Sequence, residues 1–234
     1  MLKQFIHLTQ VEFRIFLREP VAVFFNLFFP LMFLFLTMHV FLPEEQVMQG
    51  AINIYIPAFI IIITTGVSVF NIPIYIVKYR NTKFLKKLRV APISPVTILL
   101  SLGTANLLML LLGLLLLVVI GMLFYDAQFQ GNLLLFLGGV LLSFLSLGSI
   151  GLVIASFTRG MRTANVVGQL IYYPLLFLSG AIPLNLPPWL EAFSKILPIT
   201  YGVELTKRLW NRAFFEQTLP GEWLTRNAWV DVAV

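Results

Sequence analysis

The residues of this chain best suited to chemistry fall into two groups that do not mix. One is basic. Lys78, Arg80, Lys83, Lys86, Lys87 and Arg89 place six positive charges within 78–95, with no acid among them. Phe84, Leu85 and Leu88 fall at i, i+1 and i+4, one narrow apolar stripe ringed by those bases, and Pro92 and Pro95 stop the pattern. That spacing predicts a short basic amphipathic helix, either a topology signal alone or a docking surface for a cytoplasmic partner. The other group is neutral. Thr64, Ser68, Asn71, Gln169 and Tyr172 sit inside apolar runs, where hydroxyl, amide and phenol groups could line a pathway for a solute.

Covalent and metal chemistry find little support. The serines of 132–157 have no His or Asp to activate them, and His7 and His39 have no Cys or acidic partner nearby. The chain has no cysteine, which excludes disulfides, iron–sulfur clusters and thiol chemistry. No G-x-x-x-x-G-K-[ST] phosphate cradle occurs, so ATP cannot be used here by that route. The sequence therefore predicts no enzyme, no metal and no cofactor of its own.

What positions both groups is a membrane. Of 234 residues, 59% are hydrophobic and 11% charged, and the mean hydropathy is +0.92. A soluble domain carries about a quarter charged residues. The expected fold is an all-α membrane protein: a polytopic helical bundle in one domain, with no soluble domain attached. Residues 1–19 predict an amphipathic helix lying in the lipid interface, because Lys3, His7, Gln10, Arg14 and Arg18 oppose an apolar stripe. Lys3, Glu12, Arg14 and Arg18 argue against its burial, and no signal-peptide cleavage pattern follows.

Five spans are expected, at 21–42, 52–77, 97–124, 132–157 and 163–183. The second is broken by Pro57 and Pro73 and is the most polar, so it should face protein or a pathway. For its Thr and Ser residues, bonding to their own i−4 carbonyls is the alternative to a pathway role. The third is a Leu-rich, lipid-facing run. The fourth carries small residues three or four apart (Gly139, Ser143, Gly151 and Ala155 among them), the pattern of close helix packing. Residues 43–50 and 125–131 read as short loops. Beyond the fifth span, Trp189, Tyr201 and Trp210 read as interface anchors in short amphipathic pieces.

Charge sets the orientation. Eleven Lys or Arg residues flank the spans on one side, and none lies in the loops 43–50 and 125–131. The positive side is cytoplasmic, which places the N-terminus and the basic segment inside. The net charge of +6 belongs to this bias and does not suggest nucleic acid. No expected span holds Asp, Glu, Lys or Arg, which argues against ion-coupled transport. Directional work would need energy from a partner.

Several stretches together resemble a known family. They are Arg18-Glu19-Pro20, Tyr55-Ile56-Pro57, Thr65-Gly66, the run from Tyr79 to Ser94, Leu178-Ser179-Gly180, Pro187-Pro188-Trp189-Leu190 and Pro198-Ile199-Thr200-Tyr201. In this order they resemble the ABC-2 type permease subunits of ABC transporters (type V exporters), a group of drug, polysaccharide and lipid exporters. The resemblance implies a permease that pairs with a second copy, identical or not, and with ATP-binding subunits that hold ATP and Mg. It implies that about Arg80–Ala91 is the coupling helix, with Arg80, Lys83, Phe84, Leu85, Lys86, Lys87, Leu88 and Arg89 docking the ATP-binding subunit. Residues 1–19 would be the connecting helix, and 184–212 extracellular re-entrant helices. Asn81 stands where the family commonly has an acid. The family pattern closes with a sixth span returning to the cytoplasm, and this sequence ends near where it would begin. An ATP-driven exporter of an amphiphilic substrate in the cell membrane is the leading expectation. A membrane scaffold that recruits a cytoplasmic protein, or a passive channel or scramblase, are the alternatives.

Overall fold

The computed structural model describes residues 2–48, 50–81, 94–182 and 187–211. Regular structure among these residues is all helix, with no strand. We number the helices α1 (Leu2–Leu17), α2 (20–41), α3 (Glu44–Met48), α4 (Ile52–Asn81), α5 (Pro95–Tyr125), α6 (Leu133–Phe157), α7 (Met161–Leu178), α8 (Pro188–Ser194) and α9 (Pro198–Trp210). Among the described residues three helices, α4, α5 and α6, are long and apolar enough to cross a membrane. The chain is an all-α membrane protein. Residues 26–41 form a shorter apolar helix within α2.

Local chemistry sets the ends. Ser94 Oγ accepts from Thr97 N at 3.1 Å to start α5, with Pro95 in its first turn, where a missing N–H costs nothing. Asn132 Oδ1 accepts from the amides of Leu134 and Leu135 to start α6. Asp126 ends α5 in the left-handed conformation, φ 52°. Two boundaries differ from expectation. The stretch 43–50 contains the one-turn helix α3, whose first turn holds Glu44 and Glu45, favourable at a helix N-terminus. Helix α4 runs four residues past 77, so Lys78, Tyr79 and Arg80, the start of the basic segment, lie on its last turn.

Helix α4 is the centre of the bundle. Ile56, Phe59, Ile60, Ile61, Val67 and Val69 are fully buried, and α2, α5, α6, α7 and α9 pack around it. The outward faces belong to α5 and α6, where Leu108, Leu111, Leu115, Val119, Leu134, Leu142 and Leu145 are exposed in the chain and suited to lipid. Prolines shape the packing. Wide π-helical turns occur at Phe24–Phe28, Thr37–Phe41 and Gly66–Asn71. Each ends two residues before a proline: Pro30, Pro43 and Pro73. Inside a helix, as at Pro30 and Pro73, the proline ring collides with the carbonyl four residues back, and widening that turn moves the carbonyl aside; Pro43 lies past the helix end, after the extended Leu42. Pro57 has no such turn before it, and its own carbonyl accepts from Thr206 Oγ1 at 3.4 Å.

Small residues of α6 let it close on its neighbours. A β-carbon at Gly151 would stand 2.1 Å from the carbonyl oxygen of Ser68, and one at Gly139 would stand 2.8 Å from Leu209 Cδ1. One at Gly138 meets nothing within 4 Å. Backbone thus approaches backbone where α6 crosses the π turn of α4, a contact that only glycine permits. Gly151→Ala should lower stability in detergent by about 2–3 kcal/mol or prevent folding, while Gly138→Ala should stay within about 0.5 kcal/mol. Thermal unfolding of the two purified variants measures the contrast.

Candidate functional site

The strongest concentration of polar side chains lies where α4 emerges toward the basic segment. Glu12 is on α1, Glu19 follows it, and Tyr75, Lys78, Tyr79 and Arg80 are on the last two turns of α4. Tyr79 Oη donates to Glu12 Oε1. One turn earlier, Tyr75 Oη donates to Glu19 Oε2 at 3.3 Å, and Lys78 Nζ pairs with Glu19 Oε1 at 3.0 Å. Lys78 also lies 5.5 Å above the Tyr75 ring. On the other side of the helix, Arg80 donates to the carbonyls of Ala155, at 3.3 Å, and Thr158. Those carbonyls end α6, and a guanidinium is a suitable cap for the negative end of a helix. The last turn of α4 is therefore held from α1 on one flank and from α6 on the other.

Helix α1 reaches this position by packing on the first half of α5. Leu8 joins Tyr75, Ile76, Tyr79, Ile98 and Leu102 in a small apolar cluster under the ion pairs. The expected apolar stripe of α1 splits. Thr9, Glu12 and Phe16 turn inward, whereas Leu2, Ile6 and Leu17 are exposed. The reading of Glu12 as an argument against burial is thus corrected: it is 8% exposed. A carboxyl can be buried there because Tyr79 gives it a donor and Lys78 a nearby positive charge. Burial pushes its pKa up to about 7, a rise that Lys78 opposes and Glu19 reinforces.

Of the expected docking residues, Arg80 is held within the chain by the carbonyls of α6. Lys83, Phe84, Leu85, Lys86, Lys87, Leu88 and Arg89 lie outside the described residues.

The neutral candidates occupy the middle of the bundle. Thr64 and Ser68 are fully buried. Thr64 Oγ1 donates to its own i−4 carbonyl, Ile60, at 2.8 Å, and Ser68 Oγ crosses to the Phe144 carbonyl at 3.3 Å. Asn71 Nδ2 donates to Asn26 Oδ1 at 2.9 Å, joining the π turns of α4 and α2. Tyr172 reaches the same place from α7. Its ring is 6.4 Å from Phe70, and a β-carbon at Gly66 would lie 3.7–3.9 Å from Tyr172 and Asn26. Gln169 is exposed and bonds Asn165 at 3.4 Å along its own helix. The structure thus brings Asn71 and Tyr172 together, adds Asn26, and leaves Gln169 apart. Asn26 stood out in the sequence only as one amide in a Phe-rich run.

The far end of α4 has its own junction. Asn53 Oδ1 accepts from Gln128 N at 2.8 Å and from Trp210 Nε1 at 3.3 Å. Gln130 N donates to the Trp210 carbonyl at 3.1 Å, ending α9 on the loop after α5. Trp210 was expected as an interface anchor, but it is 1% exposed and packs edge-on against Phe129 and Phe136. The other two expected anchors, Trp189 and Tyr201, are exposed.

Comparison with known proteins fits this architecture. The family model described as "ABC-2 type transporter" matches residues 3–207. The chain is similar to the "Probable multidrug ABC transporter permease YbhR" of Escherichia coli strain K12, with 28% identity over 158 residues. That match covers 66% of this chain and 43% of the relative, and the same protein from Escherichia coli O157:H7 gives the same figures. The aligned part thus spans less than half the length of these relatives. No solved structure matches significantly.

A carboxyl released from this contact would lose its proton near pH 4.5, whereas the docked one keeps it to about 7. The folded state thus binds the proton more tightly. Its contribution to holding α1 is complete below about 4.5 and is lost as the pH rises through 7. Amide exchange over Leu2–Leu17, corrected for intrinsic rates, should show protection falling between about pH 5 and about pH 8. In Glu12→Gln that pH dependence should vanish.

Proposed function

Since the chain belongs to the ABC-2 type transporter family, we propose that it is the membrane-spanning permease subunit of an ATP-driven exporter. In this reading a separate ATP-binding subunit holds ATP and Mg and docks on the basic segment after α4. A second permease copy completes the translocation unit. The permease sits in the cell membrane with α1 on the cytoplasmic side.

The observation that carries the reading is the course of α4. One unbroken helix leads from the junction at Asn53, past the buried Asn26–Asn71 pair, to the turn that the basic segment continues. A push on that segment reaches a helix that touches every other span. The spans carry no charge up to Lys78, so the bundle offers neutral hydrogen-bonding groups within an apolar interior. Such an interior favours an amphiphilic substrate, whether drug, lipid or glycan.

Two exposed apolar stripes support a second copy: Phe24, Phe28, Met32 and Phe35 on α2, and Val166, Leu170, Tyr173 and Phe177 on α7. The pathway in this proposal follows the seam of α4 and α7. Tyr172 and Asn71 lie within it, Gln169 stands apart on the exposed face of α7, and Thr64 and Ser68 meet solute only when the helices part during alternating access.

Reversal of charge at Lys86, Lys87 and Arg89 together tests the docking. The ATP-binding subunit should no longer co-purify, or ATP hydrolysis should no longer drive transport in liposomes. Unchanged co-purification with unchanged transport contradicts the proposal. Transport that proceeds in liposomes without any ATP-binding subunit supports a passive channel or scramblase instead.

A further inference from the structure

Two acids of the N-terminal region face the last turns of α4, a pairing that the sequence context of neither one indicated. Glu19 lies in the turn after α1 and is partly exposed. Its ion pair with Lys78 is open to water and is screened. Glu12 is different. It is buried, seven residues earlier, and receives the Tyr79 hydroxyl. The adjacent residue, Arg80, reaches the opposite way to the end of α6. Consecutive side chains on one helical turn therefore tie α4 to two different helices, immediately before the basic segment.

We infer that Glu12 is a positioning residue for energy transfer: through Tyr79 it makes α1 and the end of α4 move as one body. The inference rests on the transport reading given above and names the joint through which a movement of the basic segment is shared. Without the joint, a displaced segment would pivot α4 against α1 and lose its leverage on the bundle. Helix α1 also packs along α5, so the joint would pass the same displacement to a third element. Among the described residues, the charged and titratable groups facing Glu12 are Lys78, Glu19, Tyr75 and Tyr79, of which Lys78 is positive. A carboxyl in that company keeps its bond to Tyr79 in either protonation state, as acceptor when ionised and as acceptor or donor when neutral.

The chain has no cysteine, so nitroxide labels can be placed without background. Gln10 on α1, Asn81 at the end of α4 and Leu133 at the start of α6 are all exposed. The test uses the permease with its ATP-binding subunit in liposomes and compares the nucleotide-free and ATP–vanadate-trapped states by pulsed electron–electron resonance. One doubly labelled protein carries Gln10→Cys and Asn81→Cys, and the other Asn81→Cys and Leu133→Cys. In the parent sequence the 81–133 distance should shift on trapping, while the 10–81 distance stays single and unchanged.

In Glu12→Ala and in Tyr79→Phe the 10–81 distance should broaden or shift on trapping, with the loss of the 81–133 response. Glu12→Gln, whose amide oxygen still accepts from Tyr79, should restore both. That rescue separates positioning from a general loss of fold. A 10–81 distance that changes on trapping in the parent overturns the inference and leaves the transport reading intact. So does a full 81–133 response in folded Glu12→Ala. A parent complex in which trapping changes neither distance overturns both.

Discussion

Inside a bilayer an unpaired carbonyl has no water to turn to, and that constraint governs how this molecule is built around α4. Pro57 and Pro73 interrupt its hydrogen-bond ladder in the middle of the bundle. The turn before Pro73 widens, and neighbouring helices tie the interrupted stretch in place: Asn26 meets Asn71, Ser68 bonds to the Phe144 carbonyl, and Thr206 reaches the Pro57 carbonyl. Gly151 passes close over the Ser68 carbonyl, which brings α6 near enough for the Ser68–Phe144 bond. The central helix is thus irregular in its hydrogen bonding yet held on all sides.

The two ends of α4 are fixed by different chemistry. At Asn53 the contacts are neutral: an amide, a backbone N–H and an indole N–H, surrounded by phenylalanines. At Tyr75–Arg80 they involve ionisable side chains, and both carboxyl groups, Glu12 and Glu19, come from outside the spans. Charges are tolerable at a helix end, near the headgroups and water, and not along its buried middle. A helix with a neutral junction at one end and an ionic clamp at the other can deliver a displacement from a cytoplasmic partner into the bundle. The clamp also explains why Arg80 differs from the bases after it. Its guanidinium serves the end of α6, whereas Lys83, Lys86, Lys87 and Arg89 lie outside the described residues.

Much of this was legible in the sequence. Hydropathy located the three helices long enough to cross a membrane, α4, α5 and α6, and the small-residue spacing of α6 announced a packing helix that Gly139 and Gly151 bear out. Where reading failed, the cause was a partner distant in sequence. Glu12 on an amphipathic helix looks solvated until Tyr79, sixty-seven residues on, is placed against it. Trp210 looks like an interface anchor until Asn53, 157 residues away, accepts its N–H. Asn26 is one amide in a Phe-rich run until Asn71 arrives from the next helix. Helix α3 was missed because five residues carry too little periodicity to register.

In the transport reading, energy enters through the basic segment after Asn81. The most direct test replaces Leu88, in the apolar stripe of that segment, with a photo-crosslinking amino acid in intact cells and identifies the captured product by mass spectrometry. The account predicts capture of a protein carrying the G-x-x-x-x-G-K-[ST] phosphate cradle. Capture of lipid alone, or of a protein without that cradle, would contradict it.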